Sequence, residues 1–207
     1  AGVEALESLL ARRSVKLTGF RTPEVKERLT HNLEDRTEFL VEPGSVDPRE
    51  ACLALDETVP TDFNLFTGSG STAGFSNILF RRRRPVVLAS HFFGCIGQML
   101  PAAMGGVVAT GNKPAILVDG DASVMMHLAE FETMVRYDMP LLVVVMNNQA
   151  LGSEYYKLDA HKMNAELATI PTPNLGAVAT AFGGRGRLAR SVDEVRAAAA
   201  EWVAKPG

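Results

Sequence analysis

The chain has 207 residues, 46% of them hydrophobic, and a formal net charge of −3. That length supports one sizeable core with an appendage, and that charge leaves no broad basic footprint for nucleic acid or an anionic membrane. The longest apolar run, residues 139–146, is too short to span a bilayer. The polar start carries no secretory signal. Cys52 and Cys95, far apart in sequence, read as small buried hydrophobes in a reducing, cytoplasmic setting. The first residue is Ala, not Met, which reads as a chain processed or cut from something longer.

Residues 3–12 place Val3, Leu6, Leu9 and Leu10 at helical spacing. Residues 23–36 predict a second, very polar helix that starts on Pro23 and carries the stripe Val25, Leu29 and Leu33. Glu42-Pro43-Gly44-Ser45 is a turn signal and marks the expected boundary between a helical linker at 1–45 and a domain at 46–207. A helix over 48–58 follows, then a strand over 62–66 that runs into a Gly/Ser loop at 67–74. A second strand is expected over 85–90, a small-residue helix over 98–110, a third strand over 114–118 and one helix over 123–137. Residues 141–146 are apolar without alternation, as in a strand covered on both faces. Helices over 174–182 and 192–204, with a short strand near Arg187, complete the pattern.

Strands alternating with helices predict the α/β class: a parallel sheet with helices on both faces. Such sheets bind ligands at the carboxyl ends of their strands. The four loops there are Gly68-Ser69-Gly70-Ser71, His91 to Gly97, Asp119-Gly120-Asp121-Ala122-Ser123, and Asn147 to Gly152. Gly and Ser suit close approach to phosphate, which needs bare backbone N–H groups and short hydroxyls. A carboxylate and a carboxamide at separate strand ends offer hard oxygens of the kind Mg²⁺ takes beside phosphate. The residues thus point to a Mg²⁺-diphosphate site at one edge of a parallel sheet.

Gly120-Asp121-Ala122-Ser123, with Asn148 of an Asn-Asn pair 27 residues after Asp121, resembles the signature of thiamine-diphosphate enzymes. Gly94-Cys-Ile-Gly-Gln-Met-Leu-Pro-Ala-Ala-Met-Gly105 is similar to a second segment of that family, and Gly68 to Ser71 stands where its other diphosphate loop stands. The motifs agree in order and spacing over residues 46–204. They resemble most the cofactor-binding (PP) domain of the acetolactate synthase and benzoylformate decarboxylase group.

That resemblance implies thiamine diphosphate and Mg²⁺ as cofactors. Asp121, the Asn148 side chain and the Ala150 carbonyl would hold the metal. Ser69, Gly70, Ser71, Gly120, Ala122 and Ser123 would contact the diphosphate, and Leu151 and Gly152 would close over it. Ile96 would wedge the cofactor into its bent shape, and the Gly94 carbonyl would hold its amino group. In this family the cofactor attacks a 2-oxo carbon and takes up the electrons left by CO₂.

The activating Glu of the family lies on a Pyr domain, so no catalytic residue is expected in this chain, which by itself would be inactive. The implied partners are a Pyr domain of the same or a neighbouring chain, a small 2-oxoacid or aldehyde substrate, and further copies in a homodimer or tetramer, with neither nucleic acid nor membrane. Residues 1–45 would be a linker or the remnant of a middle domain, and the PP domain would lack its final strand.

The sequence departs from acetohydroxyacid synthases in two places. Lys157 stands where they carry a tryptophan, and Gly70-Ser71 resembles the Ser-rich loop of benzoylformate decarboxylase instead. Other polar residues have plainer readings. His91 and His127 read as structural or half-exposed histidines, and Arg81 to Arg84 as a solvated face. Cys95 reads as a space-filler. Glu154, Tyr155, Tyr156, Lys157 and His161 are weak substrate-contact candidates. The alternative reading of the whole is a non-catalytic α/β assembly or regulatory domain that keeps the fold. Another nucleotide-binding α/β domain is disfavoured, because no Gly-x-Gly-x-x-Gly opens a helix after the first strand.

Overall fold

Helix caps and strand-end glycines set where the elements begin and end. The computed structural model describes residues 2–13, 19, 21–31, 37–38, 40–76, 78, 85–87 and 93–207. They form two units, 1–39 and 40–207.

The first unit contains α1 (Gly2–Arg12) and α2 (Pro23–His31). Glu4 in the first turn of α1 and Arg12 in the last complement the helix dipole. The α1 stripe of Val3, Leu6, Leu9 and Leu10 is exposed. In α2 the Val25 amide donates to Thr22 Oγ1 (3.2 Å), a side-chain cap on its first turn. The expected continuation of this helix over 32–36 lies outside the described residues.

In the second unit, α3 (Pro48–Thr58) starts on Asp47, whose Oδ1 accepts from the Arg49 amide (2.8 Å), with Pro in the first turn. Then come β1 (Asn64–Thr67), α4 (Ser71–Ser76), β2 (Val86–Val87), α5 (Met99–Ala109) and β3 (Ala115–Gly120). They are followed by α6 (Asp121–Met125), α7 (Glu130–Arg136), β4 (Leu141–Met146) and α8 (Gly152–Ala160). A 3₁₀ turn at Ala165–Ala168, α9 (Leu175–Ala181) and α10 (Val192–Ala204) complete the order.

The described strands form one sheet in the order β2-β1-β3-β4, and all its pairs are parallel. Side chains alternate across β3, so each face has its own core. Leu117 packs with Phe66, Leu100, Val107, Val124 and Phe131 under α5, α6 and α7. Ile116 and Val118 pack with Cys52, Leu55, Leu65 and Ala199 under α3 and α10. Trp202 meets Phe63 edge to face, with centroids 6.1 Å apart, and extends the second core. The predicted α/β class, with helices on both faces of a parallel sheet, is the one observed.

Four local expectations change. The helix expected over 123–137 is two helices, because residues 126–129 close i→i−3 bonds such as His127 N to Val124 O (3.0 Å). Ser71 to Gly74, expected as loop, belong to a helix that runs to Ser76. No strand forms near Arg187: Gly186 instead lies so close to Gly176 of α9 that an added Cβ would sit 1.7 Å from the Gly176 oxygen. Finally, β4 has only Leu141 buried and its other residues half-buried, since it pairs on one side only among the described strands.

Candidate functional site

The carboxyl ends of β1, β3 and β4 are neighbours because the strands are, so three of the expected loops meet at one edge of the sheet. They border a cleft of about 190 Å³ together with Ile96 of the segment before α5. Ser69, Gly70, Ser71, Gly120, Asp121, Ala122, Ser123, Asn148, Ala150, Leu151 and Gly152 all line it. Gly94 lies outside the lining, and its carbonyl accepts from Ser69 Oγ (2.8 Å).

Asp121 sits at the start of α6, 1% exposed. The Ala122 amide donates to its Oδ1 (2.7 Å) and the Gln149 amide to its Oδ2 (2.8 Å). The second bond ties the β3 loop to the β4 loop. Burial pushes the Asp121 carboxyl above the usual carboxylate range, and the amide bonds oppose that only in part. No cation among the described residues pairs with it, so the buried charge has amides as its partners.

The Asn-Asn loop is braced from behind. Gln149 takes a left-handed backbone (φ 55°), and its carbonyl accepts from the Ile170 amide (2.7 Å). Asn147 Oδ1 accepts from the Gln149 amide (3.1 Å) and from Thr172 Oγ1 (3.0 Å). Asn148 Oδ1 accepts from the Ala150 amide (3.2 Å), and Ala150 bridges Thr169. On the far wall Ser71 Oγ and Ser153 Oγ are 3.2 Å apart, which links the β1 loop to the start of α8.

Asp119 was not among the expected site residues. It is 1% exposed and lines the cleft beside Asp121. Burial pushes its carboxyl up too, against bonds from Ser123 and Gly120. Its sequence signal was available: a carboxylate ends the otherwise apolar run Ala115-Ile-Leu-Val, and a carboxylate in a buried strand needs partners. Thr72, Asn147 and Ser153 also line the cleft unforeseen, as do the apolar Val46, Pro48, Phe75 and Met146. The apolar ones carry no signal, since only the fold brings residues 46–48 to this edge.

The weaker candidates scatter. Glu154 lines the cleft and pairs with Lys157 (3.1 Å), an exposed ion pair worth little. Tyr155, Tyr156 and His161 are exposed on or just after α8, away from the lining. His127 is half-buried in the turn after α6. Cys52 is buried, and its thiol is pushed up to about 12 mainly by burial. Cys95 is exposed, contrary to the expected buried filler, because residues 93–95 lie at the surface before the chain turns inward at Ile96 and Gly97. His91 and Arg81 to Arg84 lie outside the described residues.

A parallel sheet whose strand-end loops bring glycines, hydroxyls, a buried carboxylate and a carboxamide to one cleft defines a cofactor-binding α/β domain. The family described as "Thiamine pyrophosphate enzyme, C-terminal TPP binding domain" matches residues 68–207, and the chain belongs to that family.

The chain is 32% identical over 222 residues to "Probable acetolactate synthase 2, chloroplastic" of Oryza sativa subsp. japonica, covering 100% of this chain and 32% of that protein. It is 31% identical over 147 residues to "Acetolactate synthase isozyme 2 large subunit" of Escherichia coli (strain K12), covering 70% of this chain and 27% of that protein. A crystal structure of benzoylformate decarboxylase from Polynucleobacter necessarius has the same fold, with TM-score 0.69 at 23% identity over 83% of this chain and 32% of that one. The chain thus spans a third or less of the length of these curated relatives. No helix among the described residues is long and apolar enough to cross a membrane.

Proposed function

We propose that the cleft holds the diphosphate end of thiamine diphosphate through Mg²⁺, as the cofactor-binding half of a 2-oxoacid decarboxylase or carboligase. The observation that carries this reading is Asp121, a buried carboxylate at the cleft with no cation beside it among the described residues. Burying such a charge is costly unless something positive meets it. A divalent ion removes that cost.

The donor set fits Mg²⁺: one carboxylate, the Asn148 carboxamide oxygen and the Ala150 carbonyl, leaving positions for phosphate oxygens. No three His, Cys, Asp or Glu side chains gather into an alternative metal site among the described residues. The wall also fits a close ligand. A Cβ at Gly152 would lie 2.8 Å from Asn148 Nδ2, so a side chain there would press on the Asn148 carboxamide.

On this reading Asp121, Asn148 and Ala150 hold the metal. Ser69, Gly70, Ser71, Gly120 and Ala122 face the diphosphate, and Leu151 and Gly152 cover it. Ile96 supports the cofactor's apolar middle. The bound cofactor supplies an electron sink for carbon–carbon bond cleavage or formation. This chain's residues bind and orient it. A Pyr domain, of the same or a neighbouring chain, would complete the site and bring the activating Glu. The substrate would be a small 2-oxoacid or aldehyde, the assembly a homodimer or tetramer, and the compartment the cytoplasm. Residues 1–45 would be a linker or a remnant of a middle domain.

The test is titration calorimetry of thiamine diphosphate into the complete enzyme with Mg²⁺ present. Asp121→Ala is expected to abolish Mg²⁺-dependent binding. Unchanged affinity in that variant would falsify the metal assignment, and no binding by the native enzyme would leave a non-catalytic domain that keeps the fold.

A further inference from the structure

We propose that Asp119 and Ser123 are positioning residues that set the 94–97 segment, and with it Ile96, against the metal-binding loop. The inference rests on the cofactor reading above, but its geometry is that of the chain alone.

Ser123 is 3% exposed, and its hydroxyl makes two bonds. It donates to Asp119 Oδ2 (2.6 Å) and accepts from the Gly97 amide (2.8 Å). A serine hydroxyl has one hydrogen. With that hydrogen on Asp119, Ser123 has none to offer a diphosphate oxygen, although family resemblance suggests that contact. What remains is a lone pair aimed at the Gly97 amide.

Asp119 makes this orientation the stable one. Its Oδ2 takes the serine hydrogen at 2.6 Å, which leaves the hydroxyl oxygen to accept from the Gly97 amide. Its other oxygen accepts from the Gly120 amide (2.8 Å). The same oxygen lies over Gly68, where an added Cβ would sit 1.9 Å away. One buried carboxylate therefore touches the β1 loop at Gly68 and the β3 loop at Gly120, and through Ser123 it reaches the segment before α5 at Gly97.

That segment has little else to define it. Gly97 takes a left-handed backbone (φ 91°), and a Cβ there would meet Met126 Sδ at 2.8 Å. Among the described residues, the segment's other bond across the cleft edge is an exposed one, from Ser69 Oγ to the Gly94 carbonyl. The buried anchor is the Gly97 amide on Ser123. Ile96, one residue before it, is the segment's contribution to the cleft lining.

The test uses the complete enzyme and the variants Ser123→Ala, Ser123→Thr and Asp119→Asn, first without cofactor. Hydrogen exchange is expected to show lost protection at 94–98 in Ser123→Ala, while 147–150, anchored by the Gln149 amide on Asp121, keeps its protection. Thiamine diphosphate should then bind about tenfold more weakly, the scale of one buried hydrogen bond. Ser123→Thr keeps the hydroxyl and should restore both. Asp119→Asn should weaken binding too, and the double variant should be less than additive, since both residues act through one relay. Exchange at 94–98 unchanged in Ser123→Ala, with affinity lost, would overturn the proposal in favour of direct diphosphate contact. Additive losses would overturn the relay. If the native enzyme binds no thiamine diphosphate, the cofactor reading fails while the exchange result still decides the anchor.

Discussion

Two carboxylates two residues apart do different work here. Asp121 meets amides from its own loop and from the β4 loop, and it faces the cleft with no cation nearby among the described residues. Asp119 meets a hydroxyl and an amide and lies against Gly68. The closeness at Gly68 makes a sharp prediction. Gly68→Ala puts a methyl on Asp119 Oδ1, so the carboxylate or the β1 loop must move. Forced overpacking of this kind costs about 1–3 kcal/mol. Urea denaturation of the complete enzyme should show that loss, and a variant as stable as the native protein would mean the carboxylate swings away freely. The sequence identified Asp121 and Asn148 by motif. It did not identify Asp119: the carboxylate that ends an apolar strand was a readable signal, but its closeness to Gly68, 51 residues earlier, exists only once β1 and β3 are paired.

At the scale of elements, caps were the legible part. The helix expected over 48–58 is α3, whose start is capped by Asp47, and residues 141–146 form β4 as expected. Asp47 also carries a pH prediction. Burial alone would raise its carboxyl, but the Arg49 side chain and amide, with the Glu50 amide, outweigh it and hold the group below the usual range. A carboxylate lowered on folding adds stability above its unfolded pKa, about 4, and loses it as pH falls through the lower folded value. Asp47→Ala should therefore cost about 1 kcal/mol at pH 7, a typical cap loss. The gap between variant and native should close as the pH is brought below about 4. A gap equal at pH 7 and pH 3 would show that the charge contributes nothing. The split of the expected 123–137 helix was not legible, since Met126 to Ala129 contain no proline or glycine. One tertiary feature of the turn is that Met126 packs on Gly97, a contact of the site and not of the local sequence.

For the whole molecule, the two cores on opposite faces of β3 hold a rigid sheet, and the cleft lies on its carboxyl edge. A ligand that binds only the folded state stabilises it by mass action, about 2.7 kcal/mol at a hundred times its dissociation constant. The complete enzyme should melt several degrees higher with Mg²⁺ and thiamine diphosphate together than with either alone, and EDTA should remove the rise. A rise with thiamine diphosphate that persists in EDTA would rule out a metal-mediated anchor.

The sequence by itself determined the α/β class, the order of the described strands along the chain and the identity of the loops that carry Asp121 and Asn148. Hydrophobic periodicity and caps act locally, and the motif spacings survive in one dimension. Only the tertiary structure decided how those loops are tied together. The Gln149 bond to Asp121 spans 28 residues and forms when parallel pairing makes the ends of β3 and β4 neighbours, while the Gly97 bond to Ser123 spans 26 residues and joins the segment before α5 to α6. The partners of a buried carboxylate depend on which strands lie beside it, and no local pattern records that.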